Sequence, residues 1–562
     1  MLIKMQGKKS TWVIEALVLI AILLLYITLA GIDIRLPGID QDAASFAEFT
    51  SDMANGRQIN LMMVGREGLL DTYIIMPFFW VFKDPVSAVR YGCIFIGALG
   101  LFLFYLFCKD YFKNYSWALI ATAILGTHYS FIESTRCAGW SNFNVFFPLM
   151  CALVLFQYWY NSRKLFAFYA GIIFLGISIG TRIHAIWIIN SLIICFIFLK
   201  IYKKITPKSK MAKIFLISLV FFAIGAWNLV IYNITGNLTI QLSMAEIKKC
   251  FFLNRDYFGT FSNIAGDLLN NPVRAHIFAD LLEGTCRNLV FVLNGWLLMS
   301  WTGGMSYLLD NKFLIYPLFA ILCDFCLVLI FLPYFFKKNS SIFPIKKALF
   351  IVIICVGGVL QSLITPQDYA SYQLYILIPF FTLLITTTLM FYHRVFTKNR
   401  FVNIVIGIVI SLIIGQQLLF CYSAKMYYRL SGGFGTHSDA IYRLTEWIGE
   451  NKNFRYVAVN WGYSAPINLL TKGQTVPLDF QQHFDVFNKG KIKENLDLIR
   501  KKWQPVFLDK NALYILAYYR RNDIETLMFS KLVGELGLRQ KLVKSFYTRD
   551  SRLTYEIYSL YN

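Results

Sequence analysis

The chain has 562 residues, 57% of them hydrophobic and only 15% charged, a balance that excludes an ordinary soluble globular domain and fits a polytopic membrane protein. Much of the formal net charge of +22 lies in loops between apolar stretches and in the carboxyl-terminal part of the chain, so membrane topology and interfacial anchoring explain it better than a nucleic-acid partner.

The first apolar stretch, 12–31, is longer than the core of a cleaved signal peptide and is expected to remain as a membrane anchor. Further stretches at 89–108, 314–336 and 402–421 are each long enough to cross about 30 Å of hydrocarbon. Segments 117–128, 144–160, 165–181, 185–199, 214–232, 348–364 and 372–392 read as additional spans. An α-helical protein with about 11 crossings is predicted. Residues 289–301, with Asn294, Gly295 and Trp296, suit an interfacial or re-entrant helix as well as a span.

Lysines and arginines cluster on alternate connections: Lys4, Lys8 and Lys9; Lys109 and Lys113; Arg163 and Lys164; the segments 200–213 and 337–347; and Arg394, Lys398 and Arg400. Cytoplasmic loops hold such an excess, so the amino terminus is expected in the cytoplasm of a bacterial plasma membrane. Loops 32–87 and 233–311 then lie outside, as does the chain that follows the last span. Cys250 and Cys286 share the second of these loops and are either a disulfide or two free thiols.

Two domains are predicted: a membrane domain over 1–424 and an extracytoplasmic α/β domain over 425–562. After Ser431-Gly432-Gly433-Phe434-Gly435, an amphipathic run at 439–450 reads as a helix and YVAVNWG, 456–462, as a buried strand. PVFLD at 505–509 is expected to be a strand, 512–521 a helix, and LTYEIYSL at 553–560 a terminal strand. These glycines follow a membrane span, so no nucleotide-cradling loop is read here.

Loop 32–87 is far longer than a turn between two spans needs to be. It contains PGIDQDAASFAEF, with Asp40, Asp42 and Glu48, and helical periodicity from 43 to 53 suggests a helix lying on the membrane surface with Asp42 in its first turn. Asp42 either caps that helix or serves as a general base toward a hydroxyl group. Asp40, two residues earlier, is a candidate orienting group or metal ligand.

These residues resemble the first outer loop of the GT-C superfamily of lipid-phosphate-sugar glycosyltransferases, in particular the protein O-mannosyltransferase-like branch (glycosyltransferase family 39) and the lipid A aminoarabinose transferases. The resemblance puts Asp42 of DAASFAEF at the family's catalytic aspartate, while Ala43 stands where a glutamate is usual. It continues through MVGREGLLDTYIIMPFFWVFKDPVSAVRYGCIFIGALG, where Arg90 matches an arginine that contacts lipid phosphate, or else snorkels at the interface, and where Arg66 and Glu67 match charged positions facing phosphate, metal or acceptor. HYSFIESTRCAGWSN supplies Arg136, GISIGTRIHAIW supplies Arg182 and His184, and TPQDYASYQLYILIPF supplies Asp368 and Tyr375 as further substrate-binding candidates. His184 reads equally well as a structural histidine.

The function implied is transfer of a sugar from a polyprenyl-phosphate donor to an extracytoplasmic glycan, lipid or protein acceptor by inverting single displacement. Asp42 would be the base, and Arg90 with Arg136 or Arg182 would stabilise the leaving phosphate. A divalent metal ion is compatible with the chemistry, but no three-ligand spacing marks a site for one. The rival readings are a polytopic lipid or solute transporter, for which Arg182 and Asp324 would be intramembrane charges, and a non-enzymatic assembly or sensor protein.

Overall fold

The computed structural model describes residues 2–56, 62–64, 67–68, 71–136, 142–199, 201, 211–234, 289–290, 293–294, 318–331, 345–364, 371–480 and 492–562. Helix α1 (Leu2–Gly31) carries an apolar stretch long enough to cross a membrane over Trp12–Gly31. Trp12, Leu17 and Leu24 lie exposed, as lipid-facing residues do, whereas Tyr26 and Ala30 are buried among neighbouring helices. The outer loop then folds as α2 (Gln41–Ala54), the hairpin β1 (Met62–Val64) and β2 (Glu67–Gly68), and the short apolar helix α3 (Thr72–Val81).

Helix α4 (Pro85–Phe112) starts where its sequence dictates. Asp84 accepts from the Ser87 amide at 3.1 Å, and Pro85 occupies the first helical position, where no amide donor is needed. Helices α5 (Tyr115–Thr127), α6 (Tyr129–Arg136), α7 (Phe146–Ser162), α8 (Leu165–Thr181), α9 (Ile186–Phe198), α10 (Met211–Gly225) and α11 (Trp227–Ile234) follow. α8 and α10 meet backbone to backbone: a Cβ on Gly176 would lie 2.2 Å from the Phe222 carbonyl oxygen, and one on Gly225 would lie 2.0 Å from that of Ile173. Small residues permit this approach, and helix association within lipid depends on such packing.

The later helices are α12 (Leu318–Leu329), α13 (Ile345–Ile364), α14 (Ile378–Val395) and α15 (Arg400–Ser431). Among the described residues, five helices are long and apolar enough to cross a membrane: Trp12–Gly31, Pro85–Phe112, Ile345–Ser362, Gln373–Val395 and Arg400–Ser431. The remaining apolar helices are shorter, so the expected number of about eleven crossings is not established by length. The stretch 314–336 is described as helix only over Leu318–Leu329. Most of loop 233–311, with Cys250 and Cys286, lies outside the described residues.

Helix α15 outlasts its apolar window. It continues to Ser431 and stops at Gly432, whose φ of 75° is the left-handed cap conformation that glycine adopts without strain. The helix therefore runs through the expected domain boundary at 424/425.

Beyond it, α16 (Ala440–Glu450), β3 (Arg455–Ala458), α17 (Ser464–Leu470), β4 (Leu478–Asp479), α18 (Ile492–Phe507), β5 (Ala512–Ala517), α19 (Ile524–Glu535), β6 (Arg539–Tyr547) and β7 (Leu553–Tyr561) build a mixed sheet in the order β4-β3-β5-β7-β6. β3 runs parallel to both β4 and β5, whereas β7 runs antiparallel to both β5 and β6.

Strand alternation sorts the core onto two faces. Tyr456, Ala458, Leu513 and Ile515 pack with Ile441, Leu444 and Ile448 of α16, while Val457, Tyr514 and Leu516 pack with Trp503, Phe507 and Phe529. β5 is buried along its whole length, which corrects the expected helix at 512–521. A strand covered on both faces is a continuous apolar run, with no alternation to separate it from a buried helix. The expected strand at 505–509 is instead the end of α18, with Pro505 inside the helix.

Candidate functional site

The segment between α1 and α2 is fastened from every side. Arg90 of α4 donates to the carbonyl oxygens of Ile34 at 2.6 Å and Pro37 at 3.0 Å. Arg136, the last residue of α6, donates to those of Asp33 at 2.9 Å and Leu36 at 2.5 Å. Tyr442 of α16 donates to the Arg35 carbonyl at 2.8 Å, and Arg429 holds the Asp33 carboxylate at 2.6 Å. Arg90 thus holds the loop backbone with two nitrogens and Arg136 with one.

Arg136 is also half of a buried charge cluster. Its other terminal nitrogen lies 3.1 Å from Glu133, whose carboxylate also takes a 2.5 Å hydrogen bond from Lys425 of α15. All three side chains are buried. Glu133 and Lys425 were not foreseen: Glu133 sits three residues before Arg136 on one helix face, a pairing signal, but Lys425 reaches it from 292 residues away.

The loop delivers the two acids in different roles. Asp40 is buried at the N-cap of α2 and accepts from the Ala43 amide at 2.9 Å, while its second oxygen lies 3.4 Å from His437 Nδ1. Capping therefore falls on Asp40, two residues earlier than the alternative weighed for Asp42. Asp42 lies in the first turn, half-buried. Helix α2 packs on α17: Gln41 accepts from the Ala465 amide at 3.0 Å, and Glu48 accepts from the Asn468 side chain. Burial, first, and the charge of Asp52 raise the Glu48 carboxyl above its ordinary range. His437 is pushed down to about 4 by burial and by Arg90, so it is neutral at ordinary pH.

Arg182 and His184 follow the end of α8, both buried, with the His184 ring edge-on to Trp187 at 5.1 Å. Tyr375 is buried in the 3-10 turn Ser371–Leu377 that leads into α14. Arg66 and Asp368 lie outside the described residues. Glu67 belongs to β2, but its side chain is outside them too.

A carboxylate not singled out from sequence lies close to Arg182. Asp71 precedes α3 without capping it, is buried, and takes a hydrogen bond from the Asn144 amide at Oδ2. Burial raises it to about 7 against the opposing effects of Asn144, nearby backbone amides and Arg182. Its only sequence signal is position, a lone acid at the start of an apolar ten-residue helix. Among the described residues no three His, Cys, Asp or Glu side chains gather to hold a metal ion.

No protein-family model matches the chain. No curated protein matches it by sequence. Among solved structures it is similar to ArnT from Cupriavidus metallidurans bound to undecaprenyl phosphate, with 11% identity and a TM-score of 0.55 over 98% of both chains. It is likewise similar to the same protein in the apo state, with 10% identity and a TM-score of 0.54 over 98% of both chains. Of the two branches named from sequence, these neighbours belong with the aminoarabinose transferases and lend nothing to the O-mannosyltransferase-like one. The chain has the fold of these structures over 98% of its length.

Proposed function

We propose that this protein is an integral membrane glycosyltransferase that moves a sugar from a polyprenyl-phosphate donor to an acceptor hydroxyl or amine outside the cytoplasm. The observation that carries this reading is the likeness over 98% of both chains to a protein solved with undecaprenyl phosphate. A donor tethered by a long lipid keeps its sugar at headgroup depth, and the loop after α1 presents its acids beside the membrane helices.

In this reading Asp42 takes the proton of the acceptor, whose oxygen or nitrogen attacks the anomeric carbon as the bond to the lipid phosphate breaks. Configuration at that carbon inverts, and the phosphate leaves with its bonding electrons. Arg90 and Arg136 act chiefly by holding the segment 33–37, so that the acids after it are already in position, and Arg182 stabilises the leaving phosphate. A transporter accounts less well for a loop tied this firmly to a soluble sheet domain.

The test uses the full chain reconstituted in lipid discs with radiolabelled undecaprenyl-phosphate sugars and an envelope extract as acceptor. A labelled product with inverted linkage, lost in Asp42→Asn, supports the reading. No product from any donor, or full turnover by that variant, overturns it.

A further inference from the structure

Beside α3 lies a cavity of about 440 Å³, lined by none of the residues given a role in the displacement above. Asp71, Asn144 and Thr181 stand on its lining together with Tyr73, Trp227 and Phe174. Asp71 holds Asn144 with Oδ2, yet Oδ1, also buried, makes no hydrogen bond to any described residue. A buried carboxylate oxygen left unmatched costs roughly 1–3 kcal/mol or more, so its persistence calls for a partner that arrives from outside.

The same carboxylate stands where a helix cap would, but does not cap α3. Thr181 spends its hydroxyl proton on the Ile177 carbonyl at 2.9 Å, which leaves its oxygen as an acceptor. Thr181 and Asp71 Oδ1 thus both call for hydrogen-bond donors. On the same lining, the rings of Tyr73 and Trp227 lie 6.2 Å apart at 50° and supply aromatic surface of the kind on which the C–H face of a sugar ring packs.

Resting on the transferase reading, we infer that this cavity is the subsite for the sugar ring of the lipid-linked donor, with Asp71 Oδ1 accepting a ring hydroxyl and Tyr73 and Trp227 covering its apolar face. The volume lies within the ordinary range for small-molecule sites. A phosphate does not belong against Asp71, since two anions would then share one desolvated place. Raised to about 7, the carboxyl is partly protonated at neutral pH, which suits an exchange of hydrogen bonds with hydroxyls. Asp71 is a positioning residue in this scheme, distinct from the base.

Equilibrium binding of farnesyl β-glucoside, farnesol and farnesyl phosphate to the full chain in lipid discs tests the assignment. Asp71→Leu is expected to weaken the glucoside about tenfold, with farnesol unchanged and farnesyl phosphate unchanged or tighter, while Asp71→Asn stays within about threefold of the parent. Phe174→Trp, which narrows the cavity, should also weaken the glucoside and serves if Asp71→Leu does not fold. Unchanged glucoside binding in the folded variants, or equal weakening of all three ligands, overturns the assignment, as does farnesyl phosphate binding that depends on Asp71. Transfer is read separately. Asp71-independent binding with transfer intact overturns this inference alone, whereas Asp71-dependent binding with no transfer from any donor overturns the transferase reading alone.

Discussion

The backbone amide of Gly38 donates to the backbone carbonyl of His437 at 2.8 Å, joining the chain that leaves the first membrane helix to the chain that enters the sheet domain. The fit leaves no room for a side chain: a Cβ on Gly38 would stand 2.1 Å from the Ser438 carbonyl oxygen. Because that neighbour is backbone, Gly38→Ala should force the two segments apart. It is expected to cost about 1–3 kcal/mol, as overpacking does, and to expose the 432–439 linker to chymotrypsin at Phe434. Thermal unfolding and limited proteolysis in lipid discs measure both.

Glu133 balances two buried cations, Arg136 and Lys425. Replacing it with glutamine leaves both without a counter-charge, a loss of roughly 3–5 kcal/mol by analogy with other broken buried pairs. The loop should loosen with it, because Arg136 also holds Asp33 and Leu36. The melting temperature reports the first effect and hydrogen exchange at 33–40 the second.

Asp40 and Asp42 should separate cleanly. Asp40→Ala removes the cap on α2 and is expected to cost about 1 kcal/mol of stability. Asp42→Asn should leave the melting temperature within a degree or two and lower transfer by about 10²–10⁴-fold. If Asp40→Asn alone abolishes transfer in folded protein while Asp42→Asn does not, the base has been misassigned.

Asp71 carries a pH signature. Its carboxyl is raised from 3.8 to about 7, so the folded protein binds this proton more tightly than the unfolded chain. Its contribution to stability therefore falls as pH rises from about 4 to 7, and the full penalty remains above that range. Asp71→Asn removes the penalty, and its advantage over the parent should grow by about 2–3 kcal/mol between pH 5 and pH 8. Parallel melting curves for the two proteins across that range would contradict the burial argument.

Much of this architecture is written locally. Asp84 before Pro85, Asn114 before α5 and Asn399 before α15 each mark a helix start with a side chain that accepts from an amide three residues on. Apolar length marked the long spans, and the alternating sequence LTYEIYSL marked β7. β5 was misread for the opposite reason. Its six residues are all apolar or aromatic, and only the layers on either side show that the run is a strand.

The membrane class, the long outer loop and the acids after the first span followed from sequence alone, because hydropathy and helix signals act over a few turns of chain. The roles of those acids did not. That Arg90 and Arg136 grip backbone, that Lys425 answers Glu133 and that Asp71 faces a cavity depend on groups tens to hundreds of residues apart, which only packing of the whole chain brings within hydrogen-bond reach, whereas the cap that Asp40 places on the Ala43 amide is local.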